Sequence, residues 1–116
     1  MHAKLHGARV TQHDLDYVGS ITLDRDLIDA VGLMPLERVQ IVNKNNGARF
    51  ETYVIVAAAG SGEVCVNGAA ARLVAKGDEL LIIAYGQFNE DEAARHKPKV
   101  AFLSPDNRVI ELHAEH

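Results

Sequence analysis

A chain of 116 residues has the length of one ordinary domain and encloses a modest core rather than a deep private cavity, so a site shared between subunits is expected. Its net charge of -4, with acids and bases interspersed, offers no dense Lys/Arg stripe and argues against nucleic acid as a partner. No apolar run reaches membrane-spanning length and the opening residues lack the apolar stretch of a secretory signal, so a cytoplasmic protein without membrane association is expected.

Short β-branched runs separated by turn residues predict a mainly β fold. Strands are expected near Lys4 to Val10 and Leu15 to Leu23. Asp24 then caps a helix over Arg25 to Val31, whose Leu27, Ile28 and Val31 share one face and which Gly32 ends. Strands near Arg38 to Asn43 and Arg49 to Ala57 flank Asn45-Asn46-Gly47, whose residues tolerate positive φ and so predict a hairpin. Further strands are expected near Glu63 to Val66 and Glu79 to Tyr85, then a helix over Glu90 to His96 that stops before Pro98, then strands near Lys99 to Leu103 and Val109 to His113. No repeat or linker divides the chain, which reads as one domain over residues 1–116. So many short strands, with two short helices too small to cover an open sheet, predict closure into a small barrel.

Side-chain chemistry alone points nowhere sharply. Cys65, the only cysteine, excludes an intrachain disulfide and, between Val64 and Val66, reads as a small buried hydrophobe. Six histidines invite a metal, but His2 and His6 share a face only on a helix, their segment alternates like a strand, and His113 and His116 lie at a terminus. No metal site is expected. Gly60-Ser61-Gly62 and Gly68-Ala69-Ala70-Ala71 lack the endings of phosphate-cradling loops.

Four blocks give more. They are Lys4-Leu5-His6, Leu15 to Asp24 with Tyr17-Val18-Gly19-Ser20 inside it, Asn45 to Tyr53, and Val66 to Ala71 followed by Gly77-Asp78. In this order and spacing, over nearly the whole chain, they resemble the aspartate 1-decarboxylase family. A lone Gly-Ser would be a bland bend; the joint occurrence of the blocks is specific. The resemblance implies a double-psi β-barrel, assembled as a homotetramer, and made as an inactive proenzyme. The Ser20 hydroxyl would attack the Gly19 carbonyl, converting amide to ester; held geometry would replace a bimolecular encounter, and glycine at 19 would permit an unusual backbone bend. Loss of the Ser20 α-proton would then leave residues 1–19 as one chain and residues 20–116 as another, headed by a covalently bound pyruvoyl group. That group would condense with the amine of L-aspartate and act as the electron sink for its decarboxylation to β-alanine, for pantothenate synthesis, with no metal.

The resemblance assigns further roles. Arg49 would grip a substrate carboxylate with two parallel bonds, or else form an ordinary ion pair. Tyr53 would return a proton to the carbanion, or else be a strand aromatic. Thr52 would hydrogen-bond the oxyanion of self-cleavage and contact substrate, or else simply suit a strand. Asn67 with the backbone of Gly68, Ala69 and Ala70 would form a substrate loop, against the alternative of a plain turn. Lys4 is a candidate for the substrate carboxylates, or a solvated terminal residue, and His6 and Tyr17 match positions near the site. Gly7 stands where arginine is expected, so a positive charge is lost or comes from Arg9, and Gly86 and Phe88 also depart from the pattern. A non-catalytic barrel, and a pyruvoyl enzyme for another amino acid, are the competing readings; whether a maturation factor assists the cut is left open.

Overall fold

The computed structural model describes residues 1–114. In β1 (Ala3–Arg9), Ala3 and Leu5 face the core while Lys4 and His6 face outward, until a bulge between His6 and Ala8 breaks the register. Gly7 sits in that bulge at φ 90, a conformation strained for any residue with a Cβ. The unexpected glycine thus has a backbone reason.

After β1 the chain changes partners within two residues. The Val10 amide donates to Asp78 O at 3.0 Å, whereas the Thr11 amide donates to Val64 O at 2.8 Å. A short strand β2 (Gln12–Asp14) then runs parallel to β6 (Val64–Asn67). The remaining strands are β3 (Ser20–Asp24), β4 (Arg38–Asn43), β5 (Arg49–Ala57), β7 (Glu79–Ala84), β8 (Lys99–Leu103) and β9 (Val109–His113), in the sheet order β2-β6-β3-β5-β4-β7-β1-β8-β9. Because β1 and β2 are one nearly continuous run, the order returns to its own start. Six strand positions close into a ring, as the short-strand pattern predicts, and the β8–β9 hairpin extends from β1 outside it. Leu5, Ile21, Leu23, Ile41, Val54, Val64, Leu80 and Ile82 fill the interior. Among the described residues no helix is long and apolar enough to cross a membrane.

The local signals behave as their chemistry dictates. Helix α1 (Arg25–Val31) starts under the Asp24 side chain, buries Leu27, Ile28 and Val31, and ends at Gly32 with φ 73. The β4–β5 hairpin turns at Gly47 with φ 74, and Gly47 N donates to Asn43 O at 2.8 Å. Helix α2 (Glu90–Arg95) carries a capping box from Asn89 and Glu92 and ends one residue earlier than expected.

Other boundaries differ. The strand expected from Leu15 begins only at Ser20, because Asp14 Oδ1 accepts from Asp16 N at 3.1 Å and turns the chain out of β2 into an exposed loop. β2 escapes sequence reading because all three of its residues are exposed and none alternates. A third helical element, a 3-10 turn over Gly68–Leu73, stands where only a loop was expected.

Asp24 is more than a cap. Its carboxylate is wholly buried and accepts from Asp26 N (2.8 Å), Gly60 N (3.0 Å) and Gly62 N (2.8 Å), with Arg108 Nη1 at 3.4 Å. Asp24→Ala strands three backbone donors at once, and a loss of roughly 2–4 kcal/mol is expected in chemical denaturation. A loss below about 0.5 kcal/mol would show that water replaces the carboxylate without penalty.

Candidate active site

Ser20 opens β3 and is fully buried, although every residue from Gln12 to Gly19 is exposed. The Gly19–Ser20 peptide therefore lies at the boundary between solvent and packed wall. Ile21 pairs with Val54 of β5, and both face the core, so Ser20 and Tyr53, each one residue earlier, turn to the outer side of the ring. On the other flank Ser20 pairs with Asn67 of β6.

A compact hydrogen-bond set surrounds the hydroxyl. Ser20 Oγ donates to Val18 O at 3.0 Å and accepts from Asn67 Nδ2 at 3.0 Å. The same amide nitrogen donates to Thr22 Oγ1 at 3.1 Å, and Asn67 Oδ1 accepts from Cys65 Sγ at 3.1 Å. Gly68 follows at φ 74 and is packed against the Gly19 backbone: a Cβ there would lie 2.5 Å from Gly19 Cα and 2.8 Å from Gly19 N. Gly19 itself does not have positive φ, and a Cβ on it would meet nothing within 4 Å. The expectation that Gly19 supplies an unusual bend is thus corrected. The strained conformation and the close approach both belong to Gly68.

The other expected site residues spread over the outer wall. Thr52 pairs with buried Val39 on the opposite strand face from Tyr53, and among the described residues its hydroxyl makes no hydrogen bond to Gly19 or Ser20. Arg49 is exposed at the start of β5, four residues and about 13 Å along the strand from Tyr53. Lys4 aligns with Ile83, Gln40 and Glu51 in successive strands, about 14 Å from β5 around the ring. Ala69 is exposed and Ala70 half-buried in the 3-10 turn. One chain therefore brings together Ser20, Tyr53, Asn67 and Gly68, but leaves Arg49 and Lys4 apart from them.

Nearby groups refine the picture. The missing charge at position 7 is not replaced by Arg9, whose guanidinium is held by Glu79 at 3.2 Å. His6 stacks on Phe102 at 4.9 Å; burial pushes its pKa below the ordinary value, and Lys4 and Lys44 push it the same way. At Gly86, a Cβ would lie 3.0 Å from the Phe88 ring, which itself stacks on His96 at 4.4 Å, so these two departures from the pattern are made together. Asn43 Nδ2 donates to Leu73 O at 3.1 Å and to Asp78 Oδ2 at 2.8 Å, and Asn46 Nδ2 donates to Leu73 O at 3.0 Å. These bonds tie the turn that precedes Arg49 to the end of the segment that begins at Gly68. A cleft of about 410 Å³ is lined by Asp14, Tyr17, Thr22, Glu63, Cys65 and Asn67 among others, while Ser20 lies outside its lining. No group of three or more metal-ligating side chains occurs among the described residues, and His116 lies outside them.

Comparison with known proteins decides the family. The sequence pattern of aspartate decarboxylase matches residues 1–110. The chain belongs to the aspartate decarboxylase family. It is 56% identical over 115 residues to the aspartate 1-decarboxylase of Geobacillus sp. (strain WCH70), covering 99% of this chain and 91% of that protein. It is 57% identical over 112 residues to the aspartate 1-decarboxylase of Staphylococcus aureus (strain JH9), covering 97% and 88% respectively. Membership in the aspartate decarboxylase family makes the chain an enzyme of the carboxy-lyase class. The residues that sequence reasoning missed around its buried serine are Cys65 and Thr22. The signal was present, since Cys65 and Asn67 are two apart on one strand and must share a face.

Proposed function

We propose that the chain is a precursor that cuts itself between Gly19 and Ser20 and, once cut, decarboxylates L-aspartate to β-alanine and CO2 for pantothenate and coenzyme A synthesis. The observation that carries this reading is the setting of Ser20: a buried hydroxyl held by Asn67 directly after an exposed glycine. The family and the names of the relatives support aspartate as substrate.

In the first step a bond forms between Ser20 Oγ and the Gly19 carbonyl carbon, the Gly19–Ser20 C–N bond breaks, and the hydroxyl proton ends on the freed Ser20 nitrogen. Packing by Gly68 restricts how the Gly19 backbone can move, which keeps nucleophile and carbonyl together. Removal of the Ser20 α-proton then expels the Gly19 carboxylate, and hydrolysis of the remaining dehydroalanine consumes water and releases ammonia. Residues 1–19 and 20–116 are the two products.

The surroundings fit a pyruvoyl group at position 20. It is no larger than the serine it derives from, and the Asn67 amide already presents N–H donors there, as a carbonyl oxygen requires. When present it supplies the electron sink that no side chain offers. Tyr53, on the same outer face, delivers a proton from its Oη to the substrate carbon after CO2 leaves. Arg49 and Lys4 hold carboxylates; their distance from Ser20 within one chain supports a site that another copy completes, as the homotetramer implied by the family resemblance would allow.

The test is intact-mass analysis of purified protein during incubation, followed by an assay for β-alanine from aspartate. Two fragments matching residues 1–19 and a blocked 20–116 are expected, with product formation rising as cleavage proceeds. A chain that stays whole and yields no β-alanine would refute the reading.

A further inference from the structure

Asn67 holds the Ser20 hydroxyl, but an amide can face either way, and its two orientations have opposite consequences. With Nδ2 toward Ser20 and Thr22, Asn67 donates to both hydroxyl oxygens, at 3.0 and 3.1 Å. The Ser20 hydrogen is then free to go to Val18 O, 3.0 Å away. In the reversed orientation Oδ1 would face Ser20 and draw that hydrogen to itself, rotating the hydroxyl and its lone pairs away from their present directions.

What selects between the two is the group on the far side of the amide. Cys65 Sγ lies 3.1 Å from Asn67 Oδ1, in a residue 7% exposed. The S–H donates to Oδ1 here, whereas an Nδ2 in that place would find only the weak sulfur acceptor. We propose that Cys65 is a positioning residue for self-cleavage: its S–H fixes the Asn67 amide so that Nδ2, not Oδ1, faces the Ser20 hydroxyl. The inference rests on Ser20 being the nucleophile of the cut.

The thiol is held in the form this role needs. Burial raises its pKa above the ordinary value, and the carboxylates of Glu63 and Asp14 raise it further, so at neutral pH it keeps its proton. The hydrogen bond of the Cys65 side chain goes to Asn67, not to Gly19 or Ser20, so it acts through Asn67, which distinguishes it from a catalytic residue. Its place in the sequence between two valines conceals this, because the backbone pattern is the same for a purely apolar strand residue.

Cleavage rates followed by intact mass for the wild type and for Cys65→Ser, Cys65→Ala and Cys65→Val test it. Serine keeps a donor at this position and is expected to cleave within about threefold of wild type, whereas alanine and valine are expected to slow cleavage about tenfold, the scale of one lost hydrogen bond. Alanine removes bulk and valine retains it, so agreement between them separates the lost donor from altered packing. Wild-type rates in both apolar variants would overturn the assignment while leaving the Ser20 reading intact, as would a serine variant as slow as alanine. A wild-type chain that never cleaves would overturn both.

Discussion

Ser20→Ala is expected to leave one uncut chain indefinitely and to form no β-alanine from aspartate. The substitution removes the atom that bonds to the Gly19 carbonyl in the proposed cut, and among the described residues no other hydroxyl is hydrogen-bonded so close to that peptide. The fold should survive, because the hydroxyl contributes only its bonds to Val18 O and Asn67 Nδ2, and stranding one Asn67 N–H costs roughly 1–3 kcal/mol. Intact mass over several days, with circular dichroism as the control for folding, measures this. A Ser20→Ala protein that is folded and still yields a fragment of residues 20–116 would remove Ser20 from the chemistry.

Gly68→Ala carries the second large effect. At φ 74 any residue with a Cβ is disfavoured by about 1–2 kcal/mol. Here the added carbon would also fall 2.5 Å from Gly19 Cα, and backbone cannot yield as a flexible side chain does. Overpacking of this kind adds roughly 1–3 kcal/mol. Displacement of Gly19 by even an ångström from a reactive arrangement lowers rates by about a hundredfold. Gly68→Ala is therefore expected to fold with reduced stability and to cleave about a hundredfold more slowly, whereas Gly19→Ala, with open space around the added carbon, is expected to be much milder for stability. Denaturation midpoints and cleavage rates of the two variants, compared side by side, decide it. Equal destabilisation by both would contradict the proposed packing.

How legible each part was in the sequence follows the range of the interaction that determines it. Asp24, Gly32 and Asn45-Asn46-Gly47 act within a few residues, and the helix and hairpin they predict are found at those positions. The run from Leu15 misleads because its apolar residues Leu15, Tyr17 and Val18 look like strand, yet an Asp14 side-chain bond turns them out to solvent. Ring closure depends on the parallel pairings β2–β6 and β3–β5 between segments far apart in the chain, which no local pattern encodes. For the candidate site, the family blocks indicate Ser20, Tyr53, Asn67 and Gly68, and the fold gathers these four. The division of labour between Gly19 and Gly68 was not legible, because close approach of two backbones is a tertiary fact that either glycine satisfies equally well on paper. Cys65 was legible only in part: two residues before Asn67 it shares that residue's strand face, but that the same amide also reaches Ser20 and Thr22 follows only from β3 lying alongside.

The closed ring has a mechanical consequence for the proposed self-cleavage. The piece detached by a cut after Gly19 would include β1 and β2, the one run that closes the ring by pairing with both β7 and β6. Its Ala3, Leu5, Ala8 and Val10 are sealed in the interior, and its backbone is laced to β7, β8 and β6 at once. Such a peptide is a keystone rather than a leaving pro-segment: covalently detached, it stays wedged in the wall. The cut particle would then be a noncovalent complex of two peptides, and dilution alone is expected to leave it assembled, with separation of the pieces requiring conditions that unfold the whole barrel.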